Sequence, residues 1–219
     1  MIDPSVLDYA QLAARVYNDP PQFGDASGAA RARMYGNVLA FRGTDDIATW
    51  LADFDINTCD VSGLGRVHAG FWGALAGILP ILLAQPTPAA IVGHSEGAAL
   101  ATLYAGVLCV LNRLPTAVYG FEPPRMCADK TLADLLKAKG VMLFYTSNGS
   151  DPVPLVPMEL SIPGPLSPIG APRGPIPDIE DHLIGNVIAA LGPIVAHTVR
   201  SETAKSKVAR DGRLPLRPD

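Results

Sequence analysis

Residues 89–101 read Ala-Ala-Ile-Val-Gly-His-Ser-Glu-Gly-Ala-Ala-Leu-Ala. A short apolar run meets a G-x-S-x-G corner, and small apolar residues then open a long helical stretch. Few backbones can accept that order. A buried strand has to turn at once into a helix, which leaves Ser95 at the corner in a strained conformation with its side chain above the sheet. The residues two before and two after the corner come too close for side chains, which fits Gly93 and Gly97. Ala98 and Ala99 let the helix lie close on the sheet. The helix N-terminus beneath Ser95 favours negative charge that develops there.

The rest of the chain supplies the layers around this corner. Asp3 and Pro4 open a helix over 3–17, with Val6, Tyr9, Leu12, Ala13 and Val16 on one face. Buried strands are expected at Val38–Phe41, Ala89–Val92, Thr116–Phe121 and Val141–Thr146. Helices are expected at 46–55, at 70–83 with a bend or stop at Pro80, at 97–112, at 131–138 and at 181–192. Apolar strands alternating with helices predict an α/β fold, a mainly parallel central sheet with helices on both faces. Residues 1–198 are expected to form one domain, and 199–219 a flexible basic tail. Residues 152–177 hold nine prolines in 26 positions, which forbids a helix and allows a strand only at a sheet edge. This segment, extended to 180, reads as a loop draped over the surface or walling a cleft.

In such sheets chemistry collects at the carboxyl ends of the strands. A serine needs a base, and the base needs an orienting carboxylate. In the chain order Ser–acid–His, Asp151 follows one strand and Glu122 follows the strand before it. Asp151 is the favoured acid and Glu122 its rival. His182, at the end of the Pro-rich segment, is favoured as base over His197, which falls on a C-terminal helical face. His94 neighbours Ser95, but adjacent residues around the corner point to opposite sides, which puts its ring beneath the sheet. The N–H of Glu96 and the loop Arg42-Gly43-Thr44-Asp45 are candidate donors to an oxyanion, Thr44 offering both N–H and hydroxyl.

Composition removes other classes. A net charge of −4 disfavours nucleic acid as partner, and six Lys/Arg against three Asp/Glu in 199–219 leave the remaining body at −7. No apolar run reaches the roughly 18–20 residues of a membrane span. The first 20 residues lack a basic n-region, and three cysteines form no disulfide framework. A cytoplasmic location is therefore preferred, although a mature secreted form would read the same. Neither a Gly-rich phosphate loop nor zinc-ligand spacing occurs, so no cofactor and no metal are expected.

Five blocks in order resemble the class 3 lipases, the fungal triacylglycerol lipase-like branch of the α/β-hydrolases. They are Leu39–Thr44, Ile47–Asp53, Val67-His68-Ala69-Gly70-Phe71, Gly93–Ala101 and Asn148–Pro157, with Asp181-His182 after them. The resemblance covers about Val38 to Asn186. It implies an α/β-hydrolase fold, Ser95 as nucleophile, Asp151 as acid, His182 as base, and Thr44 with the Glu96 amide as oxyanion hole. It also implies a lid-like segment over 45–56. Asp45, Ile47, Trp50, Leu51 and His94 would then meet substrate, and the lid would touch a lipid interface transiently. Three features depart from the family pattern: Glu96 in place of an apolar residue, the acidic pair Asp45-Asp46 at the lid, and the long Pro-rich segment. The acidic pair favours soluble esters.

The function this implies is hydrolysis of acylglycerols or other fatty-acyl esters through an acyl-enzyme. A non-catalytic interaction protein on the same scaffold, and an acyltransferase with the same three residues, are the competing readings.

Overall fold

The computed structural model describes residues 5–45, 47, 56–172 and 178–211, with side chains through 200. Helix α1 (Val6–Arg15) buries Val6, Ala10 and Ala13. Strands β1 (Arg31–Tyr35) and β2 (Val38–Arg42) form an antiparallel hairpin. A second, two-stranded ribbon is built from β3 (Thr58–Val61) and β4 (Gly65–His68). Then follow α2 (Ala69–Leu83), β5 (Ala90–His94), α3 (Glu96–Val110), β6 (Ala117–Phe121), α4 (Thr131–Ala138), β7 (Met142–Asn148), β8 (Leu166–Ile169) and α5 (Ile184–Asp211). Short 3-10 turns occupy Val153–Leu155 and Ile179–His182.

The main sheet has the order β1-β2-β5-β6-β7-β8. From β2 to β8 every pairing is parallel, and only β1 runs the other way. The period of two along each strand divides the core into two layers. Leu39, Phe41, Ile91 and Val118 face α2, α3 and α4. Val38, Ala40, Ala90 and Val92 face α1 and α5, where Val187 and Leu191 close the layer. This is the α/β-hydrolase arrangement expected from the sequence.

Several segments differ from expectation, each for a physical reason. Helix α2 continues through Pro80 to Leu83. Burial of Ile78 and Leu82 outweighs the one hydrogen bond that proline cannot donate. The Pro-rich segment contains β8, and β8 is the edge strand, the one place where proline is tolerated. The opposite edge, β1, is partly covered by the Gln22–Phe23 backbone, whose Phe23 exchanges hydrogen bonds with Ala32. The C-terminal helix does not end at Gly192. It runs through Pro193 to Asp211, so the stretch from 199 expected to be flexible is helical that far. Ser-Glu-Thr-Ala-Lys-Ser-Lys is composed largely of residues that tolerate or favour helix. The lid positions Trp50 and Leu51 lie outside the described residues.

Candidate active site

Ser95 sits between β5 and α3 with φ 57° and ψ −132°. That backbone is costly for any side chain, and it persists because its neighbours leave no alternative. A Cβ on Gly93 would lie 2.1 Å from the Gly97 carbonyl oxygen, and one on Gly97 would lie 2.5 Å from the Phe41 carbonyl oxygen. The Ser95 N–H donates to the Phe121 carbonyl at 2.8 Å, which ties the corner to the end of β6. The hydroxyl Oγ is buried and has no hydrogen-bond partner among the described residues.

His182 and Asp151 come together from distant turns. The Nδ1 atom of His182 lies 2.7 Å from Asp151 Oδ2, and both side chains are buried. The other Asp151 oxygen accepts the Val153 N–H at 2.9 Å. His182 Nε2, like Ser95 Oγ, is buried and has no hydrogen-bond partner among the described residues. The turn that carries His182 is stitched to the turn that carries Asp151. Asn148 Nδ2 donates to the Asp181 carbonyl, and Asp181 Oδ2 accepts the Ser150 N–H, both at 2.9 Å. Sequence spacing singles out neither Asn148 nor the Asp181 side chain for this role, because the contact joins two turns remote in the chain.

His94 does not lie remote from these groups beneath the sheet. Period two puts it on the α1/α5 side, where the chain places His182. The His94 ring packs against the His182 ring at 4.7 Å between centroids. Its Nε2 lies 2.7 Å from the His182 carbonyl oxygen, an acceptor only, so Nε2 carries the proton. Its Nδ1 then accepts from the Tyr17 hydroxyl at 2.9 Å. Burial holds His94 well below the usual imidazole range, which agrees with a neutral ring. Tyr17 has no sequence signal for this contact, since it follows α1 far upstream. His197 lies exposed on α5, as expected of a surface histidine.

Thr44, Asp45 and Ile47 line a cavity of about 230 Å³ together with Tyr17, His94 and His182. Leu183 and Ile184 complete its apolar wall. Asp45 is not a free charge there. It pairs with Arg42 and, at 3.1 Å, with Arg31. The hydrogen bond from Arg42 holds its carboxyl below the usual range. Glu96 opens α3, and burial pushes its carboxyl up to about 7, against the opposing pull of Arg31. His68 caps α2, with its Nδ1 accepting the Phe71 N–H at 3.3 Å.

Glu122, the rival acid, is fully buried with φ 52°. Its Oε2 accepts the Asn148 N–H at 2.9 Å, and its Oε1 makes no hydrogen bond of normal geometry among the described residues. It does not touch His182 through any hydrogen bond among the described residues; its neighbour is the Asp151 carboxyl.

Comparison with known proteins agrees with this architecture. The chain is 30% identical over 135 residues to secreted mono- and diacylglycerol lipase A of Penicillium cyclopium, and equally to that of Penicillium camembertii. The match takes in 55% of this chain and 43% of each relative, so the chain spans less than half the length of the curated relatives it matches. Both relatives are secreted proteins by name, and the cytoplasmic preference read from the sequence finds no support in them. Among the described residues no helix is long and apolar enough to cross a membrane. The lipase from Rhizopus microsporus var. chinensis superposes with a TM-score of 0.61 at 22% identity, covering 79% of this chain and 75% of that one. The Rhizomucor miehei triacylglyceride lipase superposes with a TM-score of 0.57 at 21% identity, covering 70% and 73%. The family model for lipase (class 3) matches residues 38–161, more than half of the sequence. The chain belongs to the class 3 lipase family.

Proposed function

We propose that this chain is a serine carboxylic ester hydrolase that cleaves acylglycerols or other fatty-acyl esters. The observation that carries the proposal is one arrangement of atoms. A strained Ser95 offers a buried, unpaired Oγ, while His182 spends Nδ1 on Asp151 and keeps a buried, unpaired Nε2. Ser95 Oγ would attack the ester carbonyl carbon as Nε2 takes its proton. The carbonyl oxygen becomes an oxyanion, met by the Glu96 N–H at the start of α3 and by Thr44. Collapse expels the alkoxide, which leaves as alcohol with the proton from Nε2. Water, deprotonated by the same atom, then attacks the acyl-enzyme and releases the acid. Asp151 holds the ring in the tautomer this requires.

The substrate class is supported by the apolar cavity wall and by the acylglycerol lipase activity in the names of the Penicillium relatives. Pairing of Asp45 with two arginines removes much of the acidity that would favour polar esters. The test is hydrolysis of p-nitrophenyl esters from acetyl to palmitoyl, below and above substrate aggregation, by the protein and by Ser95→Ala. Loss of turnover with an unchanged melting temperature is the expected result. Retained turnover in Ser95→Ala would overturn the reading.

A further inference from the structure

The Glu122 carboxyl is a buried acidic group beside Asp151 that the reaction above does not use. Its backbone is held at φ 52°, a conformation that glycine accepts freely and a glutamate does not. It is 0% exposed, and Asp151 is 3% exposed. Two carboxylates in contact at such burial disfavour joint ionisation, because burial and a neighbouring like charge both penalise the charged form. The hydrogen bonds decide which one keeps the proton. Asp151 already receives two donors, the Val153 N–H and the His182 ring. Glu122 receives the Asn148 N–H on Oε2, with the Thr146 hydroxyl beside it, and its Oε1 makes no hydrogen bond of normal geometry among the described residues. A proton on Oε1 resolves the bare oxygen and the charge conflict together.

We propose that Glu122 is a neutral carboxylic acid whose O–H donates a hydrogen bond to the Asp151 carboxylate, and so acts as a positioning residue for the Asp151–His182 pair. Its position supports this. Glu122 follows β6 and Asp151 follows β7, so the pair bridges the carboxyl ends of adjacent parallel strands. The backbone tie from Asn148 fixes Glu122 to the same turn that carries Asp151. Burial and the adjacent Asp151 carboxyl both push Glu122 well above the usual carboxylate range. The other polar groups facing it are the Asn148 amide and the Thr146 hydroxyl. The proposal rests on the roles given above to Asp151 and His182.

Glu122→Gln preserves the geometry, with an amide N–H toward Asp151 and a carbonyl toward Asn148. It should keep kcat/KM for p-nitrophenyl butyrate within about three-fold and leave the acid limb of its pH profile where it was. Glu122→Leu removes the donor. It should lower kcat about ten-fold, the size of one lost buried hydrogen bond, with little change in KM and a displaced acid limb. A purely structural loss would scale the profile without displacing that limb. Infrared difference spectroscopy of the intact protein against Glu122→Gln gives a reading free of turnover. The protein at neutral pH should show a protonated-carboxyl stretch that the glutamine variant lacks. Absence of that band, or an acid limb displaced in Glu122→Gln as removal of a full charge would displace it, overturns the proposal. Turnover retained in Ser95→Ala would instead strike the hydrolase reading, and the infrared result would still decide the state of Glu122.

Discussion

Gly93 and Gly97 face each other across Ser95 so closely that a Cβ on the first would stand 2.1 Å from the carbonyl oxygen of the second. The obstructing atoms are backbone, including the Gly97 carbonyl carbon at 2.2 Å and the Ala98 nitrogen at 2.6 Å, so no rotamer relieves the clash. Gly93→Ala should therefore cost about 3 kcal/mol or more, through displacement of α3 from β5. Denaturant unfolding with the slope held as a control checks this. A loss below about 1 kcal/mol would mean that the corner yields more readily than its contacts indicate.

The Tyr17 hydroxyl is the sole donor to His94 Nδ1 among the described contacts, and His94 in turn holds the His182 carbonyl. Tyr17→Phe leaves a buried acceptor unmet. It should lower stability by about 1–2 kcal/mol and slow ester turnover several-fold. Equal kcat in the variant would show that the His182 backbone is held well enough by the Asn148–Asp181 stitch alone.

Glu96 gives a pH dependence whose sign follows from its raised position. Its carboxyl titrates near 7 in the folded chain against 4.5 for an ordinary glutamate. Between those values the unfolded chain has lost its proton and the folded chain has kept it, so stability falls as pH rises. Glu96→Gln removes that fall. The variant should match the parent below the ordinary glutamate range and exceed it at pH 8 by about 2 kcal/mol, less than full conversion of the shift because the side chain is partly exposed. Melting temperatures across this range test the crossover, and a constant offset at all pH values would contradict it.

Asp45 bonds to Arg31 and Arg42, yet its side chain is 53% exposed. Asp45→Asn should change stability by less than about 1 kcal/mol, and the difference should shrink in molar salt. Its larger effect should be on KM, because Asp45 borders the cavity together with Ile47. Unchanged KM for long and short esters alike would place substrate elsewhere.

The parts of this molecule legible in the sequence are those set by local pattern. Apolar runs mark β2, β5, β6 and β7, and α4 is bounded at Thr131–Ala138 by its spacing and by Gly140. The crowding around Gly93 and Gly97 follows from the corner itself. What escapes a sequence reading is set by tertiary partners. Strand β1 carries three arginine or tyrosine positions and looks like a polar turn until β2 pairs with it. Strand β8 hides among prolines and exists because β7 supplies its hydrogen bonds. The contact of His94 with His182 joins positions separated by 88 residues, and no spacing rule reaches that far. Glu122 is visible as an acid but not as a neighbour of Asp151, since adjacency of two strand ends depends on sheet order.

The two margins of the main sheet have a consequence for how this protein meets others. One margin bears Arg31 and Arg33 and is overlaid by Phe23. The other is four residues long and contains Pro168. Charge, an overlying segment, brevity and proline are the devices by which natural sheets refuse additional strands. Both ends of this sheet thus carry devices that disfavour its growth into ribbons or fibrils by the addition of further strands.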